Sequence, residues 1–131
     1  METLSAKIDT RLYRTEITSA SGNIVISDEP QEMGGKNLGF SPSELLASAL
    51  ASCTLITLRM YINRKEWDIS EINIKIDFEK DADKNVSLFT RKIEVIGEVD
   101  QEQRQRLETI ANSCPIHKIL THSIEIKTTL I

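Results

Sequence analysis

The chain has 131 residues, of which 40% are hydrophobic and 27% are charged, with five glycines, three prolines and two cysteines. These proportions predict one globular domain over residues 1–131 and exclude a disordered, collagen-like or disulfide-dense protein. Twenty acidic and sixteen basic residues give a formal net charge of -4, and the basic residues do not cluster, so nucleic acid is not an expected partner.

The N-terminal third is predicted to form a hairpin followed by a loop. Apolar residues alternate over residues 4–12, which is typical of a half-buried strand, and a turn at residues 21–23 precedes a second strand at residues 24–26. Residues 28–39 have no periodicity. Their Gly34-Gly35 pair lacks the rest of a phosphate-binding motif, so they predict a flexible loop rather than a nucleotide site.

A long helix follows the loop. Ser41 is the predicted N-cap, Pro42 suits the first helical position and Glu44 completes a capping box, so we expect a helix from Pro42 to about Arg64. At 100° per residue, Cys53 lies at the centre of an apolar stripe formed by Leu46, Ala49, Leu50, Ile56, Thr57 and Met60. The opposite side is apolar too. Because such a helix must be covered on every side, we expect a homodimer.

This helix also bears on the location of the protein. Its most apolar stretch, residues 45–58, has fourteen uncharged residues, fewer than the roughly 20 that a bilayer span needs. The N-terminal residues lack the apolar core of a signal peptide, and two cysteines are too few for a secreted disulfide framework. We therefore expect a cytoplasmic protein with no membrane contact.

The next elements are predicted to be two paired strands. Strands at residues 69–79 and from about 89 to 97 are joined by a polar turn at residues 81–85. Alternate side chains share one face of this hairpin, namely Ile72, Ile74, Ile76 and Phe78 in the first strand and Phe89, Arg91, Ile93 and Val95 in the second.

The chain is predicted to end with two helices and a strand. Asp100 begins a helix that places Leu107 and Ala111 on one face with Cys114. Pro115 ends that helix and suits the first position of a short one. Alternating apolar residues at 124–130 predict a final strand. Tight links between neighbouring strands favour antiparallel sheet, so the fold class is α+β.

The two cysteines are the candidate reactive groups, although free cysteines are often inert core residues. If Cys114 caps the short helix, the free N–H groups there favour its thiolate. Apolar surroundings disfavour the Cys53 thiolate unless a cation is brought to it. Arg14 has the inward parity of its strand and is the preferred cation, while Arg59 lies about 120° around the helix from Cys53.

Several motifs resemble one family. They are Ser41-Pro42-Ser43-Glu44-Leu45-Leu46, the run to Ala51-Ser52-Cys53-Thr54, Leu58-Arg59-Met60-Tyr61, and Cys114-Pro115-Ile116-His117. They are similar to the OsmC/Ohr family of thiol peroxidases, osmotically inducible protein C and organic hydroperoxide resistance protein, in its broader OsmC-like branch. The resemblance runs from the Gly34-Gly35 pair to the final strand.

This resemblance implies a fold and a reaction. The fold would be an intertwined homodimer with antiparallel sheets wrapped around two helices and active sites at the subunit interface. Cys53 would be oxidised by an organic hydroperoxide, or by hydrogen peroxide, to a sulfenic acid, and Cys114 would resolve it as a disulfide. An external dithiol, of lipoyl type in the hydroperoxide-resistance branch, would reduce that disulfide. No metal or cofactor would be needed.

The sequence departs from the hydroperoxide-resistance branch beside the reactive cysteine. There, an arginine on the N-terminal hairpin and a glutamate directly after the helix-opening proline support that cysteine. Here Ser43 occupies the glutamate position, and Arg14 lies only roughly where the arginine would fall. Glu44 lies about 180° around the helix from Cys53 and about 13 Å along it, so its capping role accounts for it.

Three other functions fit parts of the sequence. Cys114, His117 and His122, with Cys53 as a fourth ligand, could bind zinc. A cysteine hydrolase could use either histidine as the base for Cys53. A non-catalytic dimer could instead bind a small hydrophobic ligand in an apolar crevice beside Cys53.

Overall fold

The computed structural model describes residues Met1 to Ile131. The elements in chain order are β1 (Leu4–Ile8), β2 (Thr15–Ser19), β3 (Ile24–Ser27), a 3-10 turn (Gln31–Met33), α1 (Pro42–Lys65), β4 (Ile69–Asp81), β5 (Val86–Gly97), α2 (Gln101–Ala111) and α3 (Pro115–Leu120). Both sheets are antiparallel, with orders β1-β2-β3 and β4-β5. The predicted α+β class is confirmed.

The chain consists of two compact units, Met1–Ser48 and Ala49–Ile131. The first unit holds β1, β2, β3 and the start of α1, and the second holds the rest of α1 and all later elements. A single domain over residues 1–131 stays a prediction.

The first unit differs from the predicted hairpin. Residues 4–12 do not form one strand, because Asp9 accepts the backbone N–H of Arg11 at 2.8 Å and the chain turns there before β2. The result is a three-stranded sheet with β2 in the centre. Every residue of β1 is exposed, so the prediction of a half-buried first strand was wrong for the single chain.

The loop after β3 is built around the carboxylate of Asp28. Asp28 Oδ1 accepts the backbone N–H groups of Tyr13 and Glu29, and Oδ2 accepts those of Lys36 and Leu38. Gly35 lies in this loop, and a Cβ there would come within 2.0 Å of the Glu29 carbonyl oxygen. The segment is a loop as predicted, with its backbone tied to Asp28, and Gly35 is explained by close backbone packing.

Asp28→Asn is expected to destabilise this unit strongly. In either orientation of the amide, its NH2 group meets two backbone N–H donors. We expect the thermal midpoint to fall by roughly 10 °C, measured by circular dichroism. Asp9→Asn is the control, because the Asp9 carboxylate is exposed and pairs only with Arg11; an equal loss in both variants would contradict the argument.

The ionisation of Asp28 gives a second check. Burial alone would raise the pKa of this carboxyl group, but the N–H groups of Leu38, Glu29, Tyr13 and Lys36 outweigh burial and lower the pKa below 3.8. The stabilisation is thus complete above pH 3.8 and is lost as the pH falls through the lower value of the folded state. Asp28→Asn should lack this loss.

Helix α1 begins as the sequence predicts. Glu44 N–H donates to Ser41 Oγ at 3.2 Å, and Ser41 N–H donates to Glu44 Oε1 at 3.0 Å, which is the expected capping box. By length and composition alone α1 could cross a membrane, since one 18-residue window has a mean hydropathy of 1.6, but core helices of soluble proteins meet the same criterion.

The buried face of α1 is rotated from the predicted stripe. Its buried side chains are Leu50, Thr54, Leu58, Tyr61 and Ile62. Cys53 is half-buried, and Ile56 and Met60 are 55% and 68% exposed. The apolar stripe centred on Cys53 is only partly covered in the single chain, because the later elements cover mainly the Thr54 and Leu58 side.

The core of the second unit lies between α1, the hairpin and α2. Leu58 and Ile62 of α1 are fully buried there against Ile69, Leu107 and Ala111. The hairpin has the predicted alternation, since its even-numbered residues from 72 to 78 and odd-numbered residues from 89 to 95 are half-buried and those between them are exposed. Asp100 caps α2 in a capping box with Gln103, as predicted.

The predicted strand at residues 124–130 is absent. Residues 123–131 have no regular secondary structure, and Ile124, Ile126 and Leu130 are exposed. A strand needs a neighbour to satisfy its backbone N–H and C=O groups, and the single chain offers this segment none. The alternating pattern thus favours a strand, but this segment forms no strand in the single chain.

Candidate functional site

Cys114 lies at the start of α3 and is fully buried. It is the N-cap residue, with Pro115 in the first helical position, as the sequence predicts. The sulfur accepts the backbone N–H of His117 at 3.4 Å and lies 3.8 Å from the Thr54 hydroxyl oxygen. The N-cap position therefore places the sulfur against a free backbone N–H group of the first turn of α3.

Cys53 reaches the same end of α3 from α1. Its sulfur accepts the backbone N–H of Ile116 at 3.5 Å, so the two sulfurs take N–H groups from consecutive residues of one helical turn. Both cysteines are free thiols, and Cys53 is half-buried while Cys114 is buried. Although 61 positions separate them in the chain, the fold brings them to one place and leaves Cys53 the more accessible sulfur.

Arg91 is the main group of this site that sequence reasoning missed. Its Nη1 donates to Thr54 Oγ1 at 3.0 Å and to the Ala111 carbonyl at 3.1 Å. Its Nη2 donates to Asn112 Oδ1 at 2.9 Å and lies 2.7 Å from His117 Nδ1. The guanidinium therefore joins β5 to all three helices. The signal was a charged residue on the apolar face of a predicted strand, between Phe89 and Ile93.

The cations proposed from the sequence have other partners. Arg14 pairs with Glu16 at 3.8 Å and is partly exposed, and its action on Cys53 stays a prediction. Arg59 donates to the Ile69 carbonyl at 2.9 Å and to Asn63 at 3.5 Å. Because it hydrogen-bonds to neither sulfur, the structure does not support Arg59 as the activating group.

His117 is held as a neutral imidazole. Burial lowers its pKa, and the positive charges of Arg91 and His122 lower it further. Because Arg91 donates to Nδ1, the ring hydrogen lies on Nε2. Neither imidazole ring hydrogen-bonds to a sulfur, and no three His, Cys, Asp or Glu side chains come together as a metal site. The geometry thus supports neither the zinc site nor the hydrolase base.

The state of His117 predicts a loss of stability in mild acid. The unfolded chain takes up the proton near pH 6.5, whereas the folded chain resists it, so stability falls as the pH drops below 6.5 toward the lower pKa of the folded state. His117→Asn should flatten this part of the curve, measured by urea unfolding at several pH values. His122→Asn should flatten the curve less, because His122 is exposed and makes the smallest of the three contributions to the lowered pKa of His117; an equal flattening in both variants would contradict the assignment.

A cavity of about 720 Å³ borders the site. Its apolar lining comes from Leu58, Phe89, Ile93, Val95 and Leu107, and Arg91 and His117 also line it. Arg91 cannot act as a free anion-binding group here, because all four hydrogens of its two terminal nitrogens have partners. Because Gln101, Arg104, Glu108 and Asn112 line it as well, the cavity suits a molecule with both apolar and polar groups.

Comparison with known proteins gives the family. The family model described as OsmC-like protein matches residues 34–129, which include both cysteines and most of the chain. This chain belongs to the OsmC-like family. No sequence among functionally curated proteins matches this OsmC-like protein.

Solved structures share the fold of this OsmC-like protein. A Psychrobacter arcticus protein named for an osmotic stress induced and detoxification response is 29% identical, with a TM-score of 0.80 over 91% of this chain and 88% of the other. An OsmC-like protein of Mycoplasma pneumoniae is 17% identical, with a TM-score of 0.78 over 92% and 87%. The organic hydroperoxide resistance protein OhrB of Bacillus subtilis is 22% identical, with a TM-score of 0.60 over 91% and 89%.

Proposed function

We propose that this OsmC-like protein is a thiol peroxidase that reduces organic hydroperoxides, and hydrogen peroxide as well, through Cys53 and Cys114. The most direct support for this proposal is that both free thiols accept backbone N–H groups from the first turn of α3. The fold shared with an organic hydroperoxide resistance protein is consistent with it.

The difference in burial assigns the two roles. Cys53 is half-buried and Cys114 is fully buried, so a peroxide reaches Cys53 first. The Cys53 thiolate attacks the O–O bond, takes one oxygen as a sulfenic acid and releases the alcohol. Cys114 then attacks the oxidised sulfur, which forms a disulfide and releases water. No step requires a metal or an organic cofactor.

The disulfide must be reduced by an external dithiol. Two successive attacks by a dithiol restore both cysteines and leave the reductant as its own disulfide. A lipoyl-type group is the proposed reductant. Such a cycle fits a reducing compartment, which supports a cytoplasmic location.

The homodimer is proposed from the uncovered side of α1. Ile56 and Met60 are exposed on the part of the helix that follows Cys53, and Ile119 of α3 is 54% exposed. Apolar side chains this exposed are favourable contacts for a second copy of the chain. The alternating residues of the C-terminal segment offer a further pairing surface.

Met60→Glu is expected to weaken this dimer. A carboxylate buried without a partner is unfavourable, so the dissociation constant should rise by about 100-fold or more, measured by analytical ultracentrifugation. Gln105→Glu adds the same charge at an exposed position of α2 and should leave the dimer intact. A wild-type chain that sediments as a monomer would contradict the dimer proposal.

The cavity beside Arg91 favours a second candidate function. Its volume of about 720 Å³ and the apolar part of its lining suit a non-catalytic module that binds a small hydrophobic ligand, although Cys53 does not line this cavity. Cumene hydroperoxide with dithiothreitol or dihydrolipoamide separates the two functions. Consumption of the peroxide over many turnovers supports the peroxidase, whereas binding of cumyl alcohol with no consumption supports the module.

A further inference from the structure

The hydroxyl group of Thr54 lies between a positive charge and a buried sulfur. Thr54 is fully buried, and its Oγ1 is 3.0 Å from Arg91 Nη1 and 3.8 Å from Cys114 Sγ. We propose that Arg91 is a positioning residue for the resolving step, because it favours the thiolate of Cys114 through Thr54. This inference rests on the proposed peroxidase function and adds two residues to it.

The hydrogen bonds of Thr54 explain how the charge acts. Its single hydroxyl hydrogen is donated to the Leu50 carbonyl at 2.6 Å, so in the reduced protein the oxygen accepts from Arg91 and from the Cys114 thiol. When Cys114 loses its proton, the hydroxyl group can turn its hydrogen toward the sulfur. The thiolate then has two donors, this hydroxyl group and the His117 backbone N–H at 3.4 Å.

Arg91 is held firmly enough to act at a fixed distance. Its other three hydrogen bonds go to Ala111, Asn112 and His117, so its charge stays beside Thr54 when the proton leaves Cys114. These acceptors belong to the end of α2 and the start of α3. Arg91 therefore fixes the backbone on both sides of Cys114 as well as the charge near it.

Three charged or titratable groups contact Thr54 or the residues that follow Cys114. They are Arg91 on β5, His117 on α3 and Cys53 on α1. His117 is neutral because burial and Arg91 lower its pKa. Arg104 and Glu108 of α2 line the neighbouring cavity but hydrogen-bond to neither Thr54 nor Cys114. The positive charge near the sulfur thus comes from Arg91.

The step that benefits is disulfide formation. The Cys114 thiolate donates an electron pair to the sulfur of the Cys53 sulfenic acid, so that the S–S bond forms and the S–O bond breaks. The leaving hydroxide takes the proton that Cys114 released and becomes water. A larger thiolate fraction at Cys114 makes this step faster at neutral pH.

Thiolate absorbance in the ultraviolet tests the inference without any peroxide. In a Cys53→Ser background, only Cys114 contributes to the thiolate signal. Adding Thr54→Val should move the pH midpoint of that signal upward by about one unit, and Thr54→Ser should restore it. Thr109→Val is the matched control on α2, where the hydroxyl group bonds only to the Gln105 carbonyl. An unchanged midpoint in Thr54→Val overturns the inference.

The charge itself is tested at Arg91. Arg91→Gln should raise the same midpoint, and Arg91→Lys should restore part of the shift because it keeps the positive charge. If Thr54→Val does not fold, the comparison of Arg91→Gln with Arg91→Lys still tests the inference. Equal midpoints in Arg91→Lys and Arg91→Gln would overturn the role of the charge.

Single-turnover kinetics separate this inference from the proposed function. With one equivalent of cumene hydroperoxide, Thr54→Val should form the disulfide about tenfold more slowly than wild type at pH 7. If wild type forms the sulfenic acid and Thr54→Val resolves it as fast, only the inference fails. If wild type forms no sulfenic acid, the peroxidase proposal fails, and the step assigned to Arg91 fails with it.

Discussion

Cys53→Ser is expected to abolish hydroperoxide reduction. Serine keeps the hydrogen-bonding position beside the Ile116 N–H, but its hydroxyl group is neither ionised at neutral pH nor oxidised by a peroxide. The loss in kcat/KM should be on the order of a thousandfold or more. The measurement is consumption of cumene hydroperoxide with dithiothreitol as the reductant.

Two controls make this result specific. Ser52→Ala changes the neighbouring residue, whose hydroxyl group is exposed and bonds only within α1, and it should keep the activity. The melting curve of Cys53→Ser should match that of wild type, because the side chain changes by one atom. Peroxide consumption that persists in Cys53→Ser would overturn the assignment of the attacking sulfur.

The local part of the site could be predicted from the sequence. The cap at Ser41 and the proline at position 115 fix where α1 and α3 begin, because both signals depend on neighbouring residues in the chain. The same holds for the hairpin, whose alternation sets which side chains face the core. From these signals, the sequence alone predicts Cys114 as the N-cap of a helix.

The rest of the site depends on contacts between distant residues. The sequence places Cys53 at the centre of an apolar stripe, yet packing against Leu107 and Ala111 selects the neighbouring face of α1. The partners of Arg91 come from three helices, so periodicity within one strand could not identify them. Side-chain spacing gives the direction of a residue, whereas its partner is set by the packing of the elements.

The same dependence limits what the sequence can predict about a cation near Cys53. Parity in the N-terminal strands favoured Arg14, but the turn at Asp9 ends β1 and breaks that parity. Arg91 contacts the Thr54 hydroxyl group, which in turn lies beside the Cys114 sulfur. In the proposed cycle, this charge would therefore act on the resolving cysteine, Cys114.

Cys114→Ser is expected to separate the two halves of the cycle. The peroxide still oxidises Cys53, but no second thiol lies at the end of α3 to form the disulfide. With a dithiol reductant that attacks only the disulfide, turnover should therefore stop after about one equivalent of peroxide. Cys53 should then accumulate as a sulfenic acid, which a dimedone-type reagent labels. Mass spectrometry of the labelled protein locates the modification.

The outcome also decides which sulfur reacts first. Serine at position 114 can keep the cap of α3 because its hydroxyl oxygen accepts the His117 N–H as the sulfur does, so α3 should remain folded and Cys53 should keep its place at Ile116. One labelled cysteine per chain, at Cys53, is the expected result. If Cys114→Ser turns over as fast as wild type, or if wild type is first oxidised at Cys114, the assigned roles are reversed or absent. A stalled sulfenic acid at Cys53 would instead show that the two sulfurs at α3 act in sequence, with the accessible one oxidised and the buried one resolving it.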